Sequence, residues 1–240
     1  MNEPGLLIET IREAGFAFVH ADTMRAALAQ VGSMEDFPAF AASWDDLGLD
    51  TYMADGGRYR KRRFAVFGTQ AGNAAIERKP HQPHYQSRDY NRLNGGIERW
   101  FTPIEPEIGG GSTLTTILHF CRGLFDGLSG PQDWHIELHQ FRIEAQRGVA
   151  GRPTPEGRHR DGVDHVLVLL VGRRNVRSGM TTIHDLDGRT LGSFTLTEPL
   201  DSALVEDRRV LHGVTPVEPV DPREPGFRDV LVVTFRREED

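Results

Sequence analysis

Cysteine is nearly missing from this chain: Cys121 is the only one among 240 residues. No intrachain disulfide can form, and no thiolate-rich zinc or iron–sulfur centre is available. Any bound metal must be held by histidine and carboxylate. Long apolar runs are missing too, since no segment approaches the roughly 20 apolar residues of a membrane span. No basic stretch leading into an apolar run follows Met1, so neither a membrane partner nor a secretory signal is expected, and a cytoplasmic location is the default. Excess positive charge is also absent. A net charge of −7 and a pI near 5.8 argue against nucleic acid as a partner. No repeat is apparent.

What is present is ordinary in bulk, with 38% apolar and 26% charged residues. The length fits one domain, 1–240, in which 1–50 form a helical N-terminal elaboration and 131–237 the main strands. The 26 glycines and 14 prolines are clustered and imply many turns. Helical spacing of apolar residues covers 4–14, with Gly15 where a C-terminal cap belongs, then 23–30 and 34–44. A short strand is expected at 16–19 and a basic strand over 52–67. Residues 68–111 read as a long functional loop, too aromatic for simple disorder. Residues 112–128 form the clearest helix, with Ser112 as its N-cap. Strands follow at 134–145, 165–171, 181–184, 190–196, 203–211 and 230–236. Helices leading into a run of short strands indicate α+β, with a β-sandwich or barrel at the centre.

Two histidines and one carboxylate leave adjacent coordination positions open on an iron that must bind co-substrate and O2 together. On a β-scaffold, His-x-Asp at a strand end is a simple way to supply two of them, because residues i and i+2 share a face. His159-Arg160-Asp161 lies just before the strand at 165, and His212 follows the run 203–211. His-x-acid alone is weak, since His20-Ala21-Asp22 and His135-Ile136-Glu137 also match. Asp22 reads better as an N-cap. His135, Glu137 and His139 would share one strand face, with no role assigned. His165 and His184 read as satisfied core or surface histidines. The partner elements of a kinase, a zinc protease, a nucleophile elbow and a dinucleotide loop are all missing. Fifteen residues separate His212 from Arg228, whose guanidinium can take a distal carboxylate as a bidentate pair. Arg223, between Pro222 and Pro225, is the weaker candidate.

These residues carry a resemblance. His159-Arg160-Asp161-Gly162, Asn175 with Gly179, Asp207 through Pro216, and Arg228-Asp229-Val230 are similar to bacterial iron(II)/2-oxoglutarate dioxygenases of the L-isoleucine dioxygenase (free amino-acid hydroxylase) type. Upstream, Tyr59-Arg60-x-Arg62-Arg63, Tyr85-Gln86 with Asn91, and Gly95-Gly96-Ile97-x-Arg99 extend it over roughly residues 50 to 236. The resemblance implies a double-stranded β-helix (jelly-roll) core flanked by N-terminal and central helices. It implies Fe(II), 2-oxoglutarate and O2, with ascorbate as a supporting reductant. It also implies hydroxylation of a free aliphatic L-amino acid, or sulfoxidation of a methionine-like one. His159, Asp161 and His212 become iron ligands, and Arg228 the anchor of 2-oxoglutarate. Val230 departs from the Ser that many such enzymes carry two residues after that arginine, so the second donor is sought at Gln140 or Arg142. Substrate contacts are expected from Arg62, in the Arg60 to Arg63 cluster of which at most one or two can point inward, and from Tyr85, Gln86 and Asn91. Two other readings compete: a 2-oxoglutarate- or metal-binding sensor without turnover, and a peptide hydroxylase.

Overall fold

The computed structural model describes residues 3–91, 93 and 95–238. Helix α1 (Glu3–Ala14) leads through Gly15, at φ 80°, into strand β1 (Phe16–Val19). Then come α2 (Ala21–Ala29), α3 (Phe37–Ala42) and a 3-10 turn (Ser43–Asp46). Strands β2 (Gly48–Leu49), β3 (Arg60–Thr69) and β4 (Glu77–Arg78) precede α4 (Pro106–Gly109) and the long α5 (Ser112–Ser129). The rest is strand: β5 (Trp134–Ala145), β6 (His165–Arg174), β7 (Val176–Ser178), β8 (Met180–Asp185) and β9 (Thr190–Thr195). β10 (Ser202–Glu206), β11 (Val210–Val214), β12 (Val217–Pro219) and β13 (Gly226–Arg237) complete the chain.

One antiparallel sheet runs β1-β10-β6-β13-β5-β3-β2, with β4 beside β3. Two smaller sheets, β11-β8-β9 and β12-β7, complete the jelly roll. Alternation along the large sheet decides what each face does. Ile136 and Leu138 of β5, Leu167 and Leu169 of β6, and Leu231, Val233 and Phe235 of β13 point one way. They form a single core with Ile117, Cys121, Leu124 and Phe125 of α5 and with Ile11, Met24 and Leu28 of α1 and α2. Truncating one of these aromatics to Ala costs about 3–5 kcal/mol. The alternate residues of the same strands face a cavity between the large sheet and the smaller ones.

The starts of α5 and α2 are capped from a distance. Ser112 is not the N-cap of α5. That position is Gly111, and Asp36 accepts hydrogen bonds from Thr113 N and Ser112 Oγ, each at 2.7 Å. Asp22 is likewise inside the first turn of α2, whose Ala21 N–H is met by Asp201 Oδ1 at 2.9 Å. The expected helix 34–44 starts only at Phe37, with Asp36 at its N-cap position and Pro38 in its first turn, where a proline is tolerated. The strand expected over 203–211 is two strands, broken at the turn Asp207-Arg208-Arg209. No helix among the described residues is long and apolar enough to cross a membrane.

Candidate active site

The cavity measures about 450 Å³, a size suited to small-molecule ligands. His159, Asp161 and His212 meet at its wall, with donor atoms within 4.8 Å of one another. The backbone brings them together. His159 N–H donates to His212 O at 2.9 Å, and His212 N–H returns a bond to His159 O at 3.0 Å. His212 therefore lies inside β11, not after it. His159 Nε2 is 3.4 Å from Asp161 Oδ1, and His212 Nε2 is 3.6 Å from Asp161 Oδ2.

The donor set suits a divalent cation. His159 Nδ1 lies 3.1 Å from Gly157 O, a bond that places the proton on Nδ1 and leaves the Nε2 lone pair for the cavity. Burial pushes His159 down, but Asp161 and Glu156 beside it outweigh this and hold it up at about 9, so a cation that binds at Nε2 displaces a proton there. Burial and its neighbour His159 push His212 down to about 4. Asp161 is pushed up by burial, yet the two imidazoles hold it well below the usual carboxylate range. A carboxylate this strongly ionised, faced by two imidazoles, is charge-matched by a cation of the kind that this triad of residue types binds. Glu156, not singled out from the sequence, is a fourth group here, with Oε1 3.5 Å from His159 Nε2 and Oε2 buried with no partner among the described residues.

The loop bearing Asp161 is pinned on both sides. Asp207 accepts from the backbone N–H of Asp161, Gly162 and Val163 at 2.9, 2.8 and 3.2 Å. Gln86 Nε2 donates to Asp161 O at 2.9 Å, and Asn91 Nδ2 donates to Gln86 Oε1 at 3.1 Å. Gly162 sits at φ 82°, where a Cβ would lie 2.5 Å from the Tyr90 ring. Gln86 and Asn91, expected at the substrate, line the cavity, but their amides are already engaged in holding this loop. Tyr85 lines it from an exposed position.

Arg228 also lines the cavity, from within β13 and beside the irregularity at Asp229/Val230. It is 2% exposed, and its Nε and Nη2 have no partner among the described residues. Burial, with Arg173 nearby, pushes its pKa down to about 10. Gly179 packs beside it at φ 78°, where a Cβ would come 2.9 Å from Val217 Cγ1. Asn175, also with positive φ, holds the 221–225 loop through Asp221 and Glu224. Arg223 is exposed and paired with Asp221. Gln140 and Arg142 fall on the wrong face of β5. His135, Glu137, His139, Phe141 and Ile143 line the cavity, and alternation turns their neighbours away. Gln140 donates to Ser43 Oγ, and Arg142 makes a bidentate pair with Asp229. The polar residue available to the cavity from β8 is Thr181, which the sequence did not single out.

Alternation also sorts the basic cluster on β3. Arg60 and Arg62 line the cavity, both close to Asp50, while Lys61 pairs with Glu144 and Arg63 with Asp46 and Glu105. Arg62 stacks 3.6 Å from the Phe101 ring centre. His135, Glu137 and His139 share the cavity face with His84, and His84, Glu137 and His139 form a second close group.

The family model for 2OG-Fe dioxygenases matches residues 41–234. The chain is 26% identical over 234 residues to the 3(1)-hydroxy-L-isoleucine 4-dioxygenase of Pantoea ananatis, covering 94% of this chain and 93% of that one. A bsmA homologue from Methylobium petroleophilum superposes with a TM-score of 0.88 at 37% identity, over 98% of this chain and 93% of the other. The protein IDO from Bacillus thuringiensis has the same fold, with a TM-score of 0.80 at 19% identity, over 98% and 100% of the two chains. The chain belongs to the 2OG-Fe dioxygenase family, and is an enzyme that uses Fe(II), 2-oxoglutarate and O2.

Proposed function

We propose that the chain works as one domain in which His159, Asp161 and His212 hold the iron, Arg228 anchors 2-oxoglutarate, and the substrate oxidised is a free aliphatic L-amino acid. Bound iron supplies the oxidative chemistry, coupling decarboxylation of 2-oxoglutarate to succinate with insertion of oxygen into the substrate. The protein supplies position and electrostatics. Gly157 O orients His159, the Asp207 and Gln86 clamp orients Asp161, and β11 orients His212. Arg228 offers two donors with no partner among the described residues to a distal carboxylate, and Val230 and Val232, next along the same face of β13, keep that part of the cavity apolar. The observation that carries the reading is a buried guanidinium with unpartnered donors in the same cavity as the triad. A pure binding module has no need of both. A cavity of this size, walled by two sheets, favours a small substrate over a peptide chain, and the amino-acid activity in the name of the Pantoea relative supports the substrate class.

Succinate release from 2-oxoglutarate, with Fe(II), ascorbate and a panel of free L-amino acids, tests this. Turnover is expected with at least one aliphatic member, and His212→Ala is expected to abolish it while leaving the fold intact. Turnover retained by His212→Ala would sink the ligand assignment. Tight metal binding without turnover on any member would favour the sensor reading.

A further inference from the structure

Glu137, on β5, is nearly buried and has only histidines as ion-pair partners among the described residues. His84 Nδ1 donates to its Oε2 at 2.8 Å, and His139 Nε2 lies 3.6 Å from the same oxygen. The spacing of His84, Glu137 and His139 would by itself suit a second cation. The tautomer of His139 decides against it. Arg62 Nη2 is hydrogen-bonded to His139 Nδ1, and a guanidinium can only donate. Nδ1 must therefore accept, which leaves the ring proton on Nε2, aimed at Glu137. A protonated Nε2 cannot ligate a metal. Glu137 is instead a carboxylate held by the imidazoles around it, His84 and His139 at Oε2 and His135 3.5 Å from Oε1. Burial opposes its ionisation, but those imidazoles outweigh burial and hold it charged.

Arg99 is the complementary pole. It is 2% exposed, and its Nε and Nη2 have no partner among the described residues, whereas Arg60 and Arg62 lie 2.7 and 3.6 Å from Asp50. Arg99 and His84 exchange backbone hydrogen bonds, each 2.9 Å, so the chain fixes Arg99 next to the residue that grips Glu137. A largely buried anion whose oxygens meet only the imidazoles of His84, His135 and His139, and a buried cation with two unpartnered nitrogens, both lining one cavity, match a ligand that carries both charges. Resting on the amino-acid reading above, we propose that Glu137 and Arg99 form a zwitterion cradle, with Glu137 accepting the substrate's α-ammonium and Arg99 donating to its α-carboxylate. The side chain of the substrate then lies against the apolar wall formed by Val168, Ile183 and Val205. Glu156 is the rival acceptor. It lies on a loop against the proposed iron ligand His159, while Glu137 is fixed on a central strand.

The test is calorimetric titration, under anaerobic conditions, of protein loaded with Fe(II) and 2-oxoglutarate. L-Leucine, L-isoleucine and L-methionine serve as probes, with 4-methylpentanoate and 3-methylbutylamine as leucine analogues lacking one pole each. On the wild type, each analogue is expected to bind roughly 10- to 100-fold more weakly than leucine, the scale of one charged hydrogen bond. Glu137→Gln should weaken the amino acid by a similar factor and leave 4-methylpentanoate unaffected, and Arg99→Lys should do the converse with 3-methylbutylamine. The wild-type analogue series keeps the question decidable if a variant fails to fold. Amino-acid binding that Glu137→Gln leaves intact, or that Glu156→Gln abolishes instead, overturns the cradle alone. A second equivalent of metal bound by the wild type and lost in Glu137→Gln also overturns it. If no amino acid binds the wild type, the amino-acid reading fails and the cradle with it.

Discussion

Arg228 keeps two guanidinium nitrogens buried with no partner among the described residues, and each unsatisfied buried group costs the fold about 1–3 kcal/mol. Such a cost is sustained where a ligand removes it. Arg228→Met, similar in length but apolar, is therefore expected to raise the melting temperature of the co-substrate-free protein. The same change should weaken 2-oxoglutarate by on the order of 10²-fold, the scale of breaking a buried charge pair. Thermal melts and a 2-oxoglutarate titration check both halves. A lower melting temperature with unchanged affinity would show that Arg228 is structural. At this scale the residue types were legible in the sequence, but their directions were only partly so. Arg62 and Arg228 line the cavity. Gln140 and Arg142 do not, because on a strand one position decides the face, and the register of β5 against β3 and β13 is a tertiary fact.

Between the residue and the fold, the segment 157–164 behaves as a clamped unit. One end is bonded to β11 through His159 and His212, and the other is held by three backbone bonds to Asp207 and one from Gln86. Asp207 stands in the turn between β10 and β11, so the strands that bring His212 also position Asp161. Burial and the neighbouring charge of Asp161 push Asp207 up to about 7, a sign that two carboxylates are held closer than their charges favour. A bound cation would relieve that repulsion. Asp207→Asn keeps the size but removes an acceptor, and is expected to lower Fe(II) affinity about 10- to 100-fold, the range for outer partners of metal ligands. A metal titration measures it, and full affinity in the variant would refute the clamp. The sequence reading put Asp207 in a matching motif but gave it no task, since a single strand was expected to run through it.

For the whole molecule, the large sheet divides two environments, an apolar core under the helices and a charged cavity on the opposite face. His165 stands on the core side, stacked 4.7 Å from Phe125 with Ser129 Oγ 2.7 Å from its Nε2. Burial pushes its pKa from 6.5 down to about 4. Between these values the unfolded chain binds a proton that the folded protein refuses. Its contribution to stability is therefore complete above pH 6.5 and is lost as pH falls toward 4. The swing amounts to up to about 3 kcal/mol. His165→Phe should shrink the stability difference between pH 4.5 and 7 by up to that amount in denaturant titrations of iron-free protein. An unchanged difference would mean that His165 is not held neutral.

What the sequence determined by itself was local. The period of its apolar residues set which segments became helix or strand, the near-absence of cysteine restricted any metal to histidine and carboxylate, and the order His159, Asp161, His212, Arg228 carried the family likeness. What only the tertiary structure decided was pairing. Asp36 and Asp201 cap helices far from them in the chain, Asp207 grips a loop more than forty residues upstream, and His84 meets Glu137 across fifty-three positions. The reason is physical. Hydrogen bonds and charges act over a few ångströms in space, and the fold, not the distance along the chain, sets which groups come that close. The triad was legible because part of it is local, whereas the Glu137 and Arg99 poles became visible only when three separate segments closed around one cavity.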